Sequence, residues 1–172
     1  MLIRRATAND IPALARLLRQ VFDVHHQGRP DLFRAGDGPD GKGNRKYDDE
    51  ELASLLTDAD RPVFVAVAEP DERRDGMPAD GVLGYMFGIF QRHEHDRVLA
   101  PVTTLYIDDL CVYESARGLG VGSRLYRHTL DFAREAGCHN VTLNVWSCNP
   151  GAMRFYERMG LTPYKIGMEQ VL

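Results

Sequence analysis

The segment Arg117-Gly118-Leu119-Gly120-Val121-Gly122-Ser123 sets three glycines at alternate positions between an apolar run, Thr104 to Val112, and a helix-like run, Gly120 to Ala136. Glycine at a strand-to-helix junction permits positive φ and lets a ligand come close to the main chain. The first free N–H groups of the helix point outward at the partly positive end of its dipole. Together these features bind phosphate or pyrophosphate. A Walker loop would need Gly-Lys followed by Ser or Thr, but no Lys lies here and Arg124 follows Ser123. A dinucleotide fingerprint would need G-x-G-x-x-G and an acid about 20 residues further on. The glycines are spaced G-x-G-x-G, and Asn140 to Asn144 fill the later position. Taken alone, the loop could also be a tight turn that binds nothing, the lesser of the two readings, so its surroundings decide.

Other residues able to do chemistry are fewer. Asp108 and Asp109 interrupt the apolar run. Strand alternation would point one to each face of a sheet, where one could serve as a base and both could instead satisfy main-chain groups or an Arg. Cys111, Cys138 and Cys148 have no framework spacing, which suggests a reducing compartment. Cys111 reads as core. His93-Glu94-His95-Asp96 has the residue types of a metal site, yet adjacent loop positions rarely converge on one ion, so no metal is expected. Asp48-Asp49-Glu50-Glu51 reads as the charged first turn of a helix.

Downstream of the glycine loop come Gly137 as a helix end, an alternating strand Val141 to Trp146, and then Asn149-Pro150-Gly151-Ala152-Met153-Arg154-Phe155-Tyr156-Glu157-Arg158-Met159-Gly160-Leu161. Arg117-x-x-Gly120-x-Gly122 followed by Asn149, Ala152, Phe155-Tyr156-Glu157 and Gly160-Leu161 resembles the GNAT superfamily of acetyl-coenzyme A-dependent N-acetyltransferases. The likeness is strong over Leu105 to Tyr164 and thin before it. It implies acetyl-coenzyme A as co-substrate, with the strand before the loop bulged and splayed from its parallel neighbour. Main-chain groups of Leu110, Cys111 and Val112 would then bond the pantetheine amides. The N–H groups of Arg117, Gly118, Leu119, Gly120, Val121, Gly122 and Ser123 would hold the pyrophosphate. Asn149, itself an N-cap followed by Pro at the first helical position, would also touch the cofactor. The resemblance assigns Tyr156 to the leaving sulfur, where a phenol can donate a proton to a thiolate.

The attacking amine must first lose a proton, because an alkylammonium has no lone pair and its pKa is near 10. Asp108 and Asp109 are the first candidates for the base. His25, His26 and Tyr47 are weaker ones, from the variable segment 22–60 where this family builds its acceptor pocket.

These residues need elements to position them. Leu2 to Ala6 reads as a strand. Ile11, Leu14, Leu17, Leu18 and Val21 follow helical spacing to about Phe22. Val24 to Asn44 lacks a period and is read as loop with a short turn near Asp31 to Arg34. Asp48 to Leu56 reads as a second helix; Val63 to Ala68 and Val82 to Phe90 as strands; Pro163 to Leu172 as a final strand. The expected fold is α/β, a GNAT-like acyltransferase with a mixed, mostly antiparallel twisted sheet of six or seven strands, a splayed parallel pair and about four helices. One domain spans 1–172, with a cofactor-binding core at 104–164.

The composition fits an ordinary folded domain. The chain has 172 residues, 44% apolar and 27% charged, with a net charge of −4. Mild acidity argues against a nucleic-acid platform. No run of 18 apolar residues suggests a membrane span, and Met1 to Arg5 lacks the apolar core of a signal peptide, so a cytoplasmic protein is expected. The reading is transfer of an acetyl group to a primary amine of a small molecule or peptide, in a monomer or homodimer. Two alternatives stay open: a non-catalytic acyl-coenzyme A-binding module, and transfer of a different acyl group.

Overall fold

The computed structural model describes residues 1–34, 45–93 and 97–172. In chain order these form β1 (Leu2–Arg5), α1 (Ile11–Gly28), α2 (Asp49–Thr57), β2 (Val63–Val67), β3 (Val82–Arg92), β4 (Thr103–Val112), α3 (Val121–Glu135), β5 (Asn140–Leu143) and α4 (Pro150–Arg158). The strands lie in one sheet in sequence order, antiparallel throughout except for the β4–β5 pair. That pair is parallel because α3 carries the chain back across the sheet between them.

Two apolar layers flank the sheet. On one face Leu14, Leu17 and Leu18 of α1 and Leu52 of α2 meet Val63, Val65, Tyr85 and Phe87. On the other, Val121, Leu125 and Tyr126 of α3 and Tyr156 of α4 meet Phe64, Ala66, Met86 and Ile107. Each buried side chain of this size contributes about 1.5–3 kcal/mol. Gly84 allows β3 and β4 to close: a Cβ there would lie 2.6 Å from the carbonyl oxygen of Cys111.

Several boundaries differ from expectation. α1 continues past Phe22 to Gly28, carrying His25 and His26 into its last turn. It stops where Pro30 disfavours a helical conformation for Arg29, whose φ is −142°. Five strands are present among the described residues, where six or seven are expected. Residues 163–172 form no strand. Tyr164, Ile166 and Met168 alternate as a strand would, but all are exposed, so the segment has neither a paired edge nor a buried face to hold it. Gly36 to Pro39 and Glu94 to Asp96 lie outside the described residues. Among the described residues no helix is long and apolar enough to cross a membrane.

The turn into α1 is fixed by Asp10, only 4% exposed. Its carboxylate accepts from both terminal nitrogens of Arg4 (2.7 and 2.8 Å), from the Thr7 N–H (2.8 Å) and from the Thr7 hydroxyl (3.0 Å). Burial would raise its pKa, but these donors outweigh that and lower it. Asp10→Ala is expected to cost about 2–3 kcal/mol, the worth of hydrogen bonds to a charged group, read as a fall in the urea midpoint at unchanged slope. The native carboxyl lies below its unfolded value. This stabilisation is therefore complete above about pH 4 and fades as the pH falls further. A midpoint unchanged by the substitution would contradict the assignment.

Candidate active site

The site begins with an irregularity in β4. Phe87 pairs with Asp109 and Gly88 with Ile107, so Asp108 is an extra residue with no opposite number on β3. Such a bulge reverses the side-chain alternation beyond it. Ile107 packs towards α3, whereas Cys111, four residues on, packs towards α1. Asp108 and Asp109 therefore do not point to opposite faces, as simple alternation predicts. Asp108 accepts from the Tyr47 hydroxyl at 3.0 Å and Asp109 from the Tyr85 hydroxyl at 2.9 Å, and both tyrosines belong to the α1–α2 side.

The same strand loses its parallel neighbour at this point. The last β4–β5 pair is Ile107 with Leu143, and β5 ends there. From Asp108 to Val112 the outer edge of β4 has no strand beside it among the described residues. The wedge between Leu110–Val112 and Asn144–Trp146 is part of a broad, half-open cleft of about 2510 Å³ that extends to α1, α2 and the C-terminal segment. Gln20 of α1 fixes the inner end: its amide nitrogen donates to the Val112 carbonyl at 2.9 Å, and its oxygen accepts from the Glu114 N–H at 3.0 Å.

Beyond β4 the chain makes one tight turn over Glu114–Ala116 and reaches the glycine loop. Gly118 and Gly120 both have φ of +79°, the left-handed region that glycine reaches without cost. Gly120 caps α3 from that conformation. The Arg117 N–H donates to Glu114 and the Leu119 N–H to Ala116 at 3.1 and 3.4 Å. The amides of Gly118 and of Gly120 to Ser123 have no acceptor among the described residues. Arg117 is exposed.

Tyr156 reaches the cleft from α4. That helix starts where the Asn149 side-chain oxygen accepts from the Ala152 N–H at 3.1 Å, with Pro150 at the first position. The Tyr156 ring lies edge-on to Phe155 and Tyr126, with centroids 5.0 and 6.1 Å away. Its hydroxyl makes no hydrogen bond among the described residues, yet the oxygen is not sealed from the cleft that Tyr156 lines. Burial, and then the nearby charge of Asp109, hold its pKa above the ordinary phenol value, so it keeps its proton.

Electrostatics separates the remaining candidates. Burial pushes the Asp109 carboxyl up to about 6; Tyr85 and Lys46 pull the other way, and Asp108 adds to the rise. Burial and then Asp109 push the Cys111 thiol up to about 12, which removes it as a nucleophile at neutral pH. His25 lies against Phe33 and Trp146, with ring centroids 5.1 and 6.3 Å away, and lines the cleft. Burial and the Lys46 charge lower its pKa, which favours the neutral ring. His26 turns away: its Nδ1 pairs with the Phe33 carbonyl at 2.8 Å and its ring stacks on Phe22.

Lys46, Tyr85 and Gln20 enter the site without a motif. Lys46 forms an ion pair with Asp108 at 2.7 Å and lies over the Tyr47 ring at 5.5 Å. Tyr85 reads in sequence as one more apolar strand position. Only its place opposite the bulged strand gives its hydroxyl a role.

The streptothricin acetyltransferase of Streptomyces lavendulae is 36% identical over 122 residues, 71% of this chain and 53% of that protein. This chain thus spans about half the length of that relative. A tetramutant of the BH1408 protein from Bacillus halodurans superposes with a TM-score of 0.86 at 26% identity, covering all of both chains. An aminoglycoside acetyltransferase, meta-AAC0020 from an uncultured soil metagenomic sample, solved with sisomicin, shares the fold with a TM-score of 0.67 at 20% identity, over 99% of this chain and 94% of that one. The family description "Acetyltransferase (GNAT) family" matches residues 29–161, a span that holds the bulged strand, the glycine loop and Tyr156 together; the chain belongs to that family.

Proposed function

We propose that this chain is an acetyl-coenzyme A-dependent N-acetyltransferase that acts on the primary amine of a small cationic molecule by direct attack in a ternary complex. The observation that carries the reading is the unpaired edge of β4 from Asp108 to Val112, which leads into the free amides of Gly118 and Gly120 to Ser123. A pantetheine arm can pair with such an edge as an added strand does. A pyrophosphate suits amides gathered at a helix N-terminus. Bound there, the coenzyme supplies an acetyl thioester open to attack by an amine; the rest falls to this chain's own groups.

A main-chain N–H at or beside Leu110 polarises the thioester carbonyl as its oxygen gains charge. Asp109 takes the proton from the acceptor ammonium, directly or through water. At about 6 its pKa lies closer to that of the amine than an ordinary carboxylate near 4, while the group stays mostly ionised at neutral pH. Tyr156 gives its proton to the departing sulfur. The two carboxylates on one side of the sheet, facing a cleft also lined by Phe33, Trp146 and His25, support a cationic acceptor. The similarity to a protein named for streptothricin agrees with a small-molecule amine.

Free-thiol release from acetyl-coenzyme A across a panel of amines tests the activity; binding without turnover on any amine would favour an acyl-coenzyme A-binding module instead. Tyr156→Phe is expected to lower kcat about 100-fold, within the usual range for a positioned proton donor, and to leave coenzyme affinity unchanged by calorimetry. Weaker binding with normal kcat would refute the role. The wild-type log(kcat/KM) is expected to fall below about pH 6 as Asp109 protonates. Asp109→Asn should remove that acid limb along with most of the rate, and a limb that survives would assign the base elsewhere. Gly120→Val forces a branched residue into a left-handed conformation and is expected to weaken acetyl-coenzyme A binding at least about tenfold, whereas an unchanged affinity would sink the pyrophosphate assignment.

A further inference from the structure

The chain carries three lysines, Lys42, Lys46 and Lys165, against eighteen arginines. Both of those within the described residues line the cleft, Lys165 from the exposed C-terminal segment. Lys46 has its amine inside the candidate acceptor site. Its Nζ sits 2.7 Å from an Asp108 carboxylate oxygen and 5.5 Å from the Tyr47 ring centre, and its charge is felt by Asp109, His25 and Tyr106. An acceptor ammonium would meet the same groups: a carboxylate, an aromatic face, and a second carboxylate placed to take its proton. The Lys46 side chain is 44% exposed, so protein does not enclose it. Residues on a regular strand are about 3.3 Å apart, so Leu110 lies at most about 7 Å along the chain from Asp108, and less across the bulge. A flexible four-carbon arm can sweep such a distance.

We infer that Lys46 is a self-acetylation site: the enzyme transfers an acetyl group from acetyl-coenzyme A to the Nζ of its own Lys46. The inference rests on the function proposed above. The Lys46 ammonium gives a proton to Asp109. The bond from Nζ to the acyl carbon forms as the carbon–sulfur bond breaks, and the leaving sulfur takes the Tyr156 proton; the second proton that Nζ loses on becoming an amide returns to Tyr156 through water, and Asp109 releases the first to solvent. The product is a neutral amide, which no longer pairs with Asp108. Self-acetylation therefore discharges the one cation that competes with an acceptor amine for that carboxylate among the described residues.

The test is intact-mass and peptide-mapping mass spectrometry of the purified full chain incubated with acetyl-coenzyme A without any amine, alongside calorimetry of coenzyme binding on the same sample. The expected result is a gain of one acetyl group on Lys46, at a first-order rate independent of protein concentration. Tyr156→Phe should slow that rate about 100-fold. Lys46→Arg should abolish it while still binding the coenzyme, and Lys165→Arg should leave it unchanged. Binding of the coenzyme with no label on Lys46 overturns this inference alone. So does label spread over all three lysines at a rate indifferent to Tyr156→Phe, which is plain chemical acetylation, or a rate that rises with protein concentration. Absence of any coenzyme binding overturns the proposed function, and this inference with it.

Discussion

One extra residue in β4 shapes the rest of the site. A regular strand would pair with β3 on one side and with β5 on the other along its whole length, and its carboxylates would point to opposite faces. The bulge at Asp108 breaks both patterns at once. It coincides with the end of β5 pairing, so five residues of main chain face an open cleft. It also reverses the alternation, which brings Asp108 and Asp109 to the α1–α2 side and turns Leu110 and Val112 towards α3. Edge groups without a strand partner are costly unless something else satisfies them. Here Gln20 secures the carbonyl at the end of the strand, and the remainder is left to the cleft.

The electrostatic character of the site follows from that geometry. Two adjacent carboxylates on one side repel, and burial disfavours charge on either. The chain answers with different partners: a lysine and a phenol for Asp108, a fully buried phenol for Asp109. Asp109 is the one whose affinity for a proton rises towards neutrality. Across the wedge, burial and the field of Asp109 keep Tyr156 protonated. A group inclined to accept a proton and a phenol that still holds its own thus share a single cleft, the pairing that the proposed acyl transfer to an amine needs.

Much of this was legible in the chain and some was not. The glycine loop could be read because left-handed backbone at Gly118 and Gly120 restricts residue type. Asn149-Pro150 could be read because a cap and a fixed φ leave local marks. α1 reached beyond its apolar period because its C-terminal part packs Phe22 and His25 against Phe33, His25 against Trp146, and His26 on Phe22, contacts that arise only in three dimensions. Lys46 and Tyr85 were invisible for the same reason: nothing local distinguishes a lysine in an aperiodic segment or a tyrosine in an apolar strand. The residues 163–172 alternate like a strand but find no edge, which shows that period alone does not make one. The resemblance implied a bulge, but its consequence for Asp108 and Asp109 depended on knowing which residue was the extra one.

The proposed main-chain coenzyme contacts all lie on the open edge of β4 and the amides that follow it. Residue-resolved amide hydrogen exchange with and without acetyl-coenzyme A tests them most directly. New protection concentrated on Leu110 to Val112 and on Gly118 to Ser123, with β1 and β2 unchanged, is the result the account predicts. Protection on another face of the sheet, or none along β4 and the glycine loop at saturating coenzyme, would contradict it.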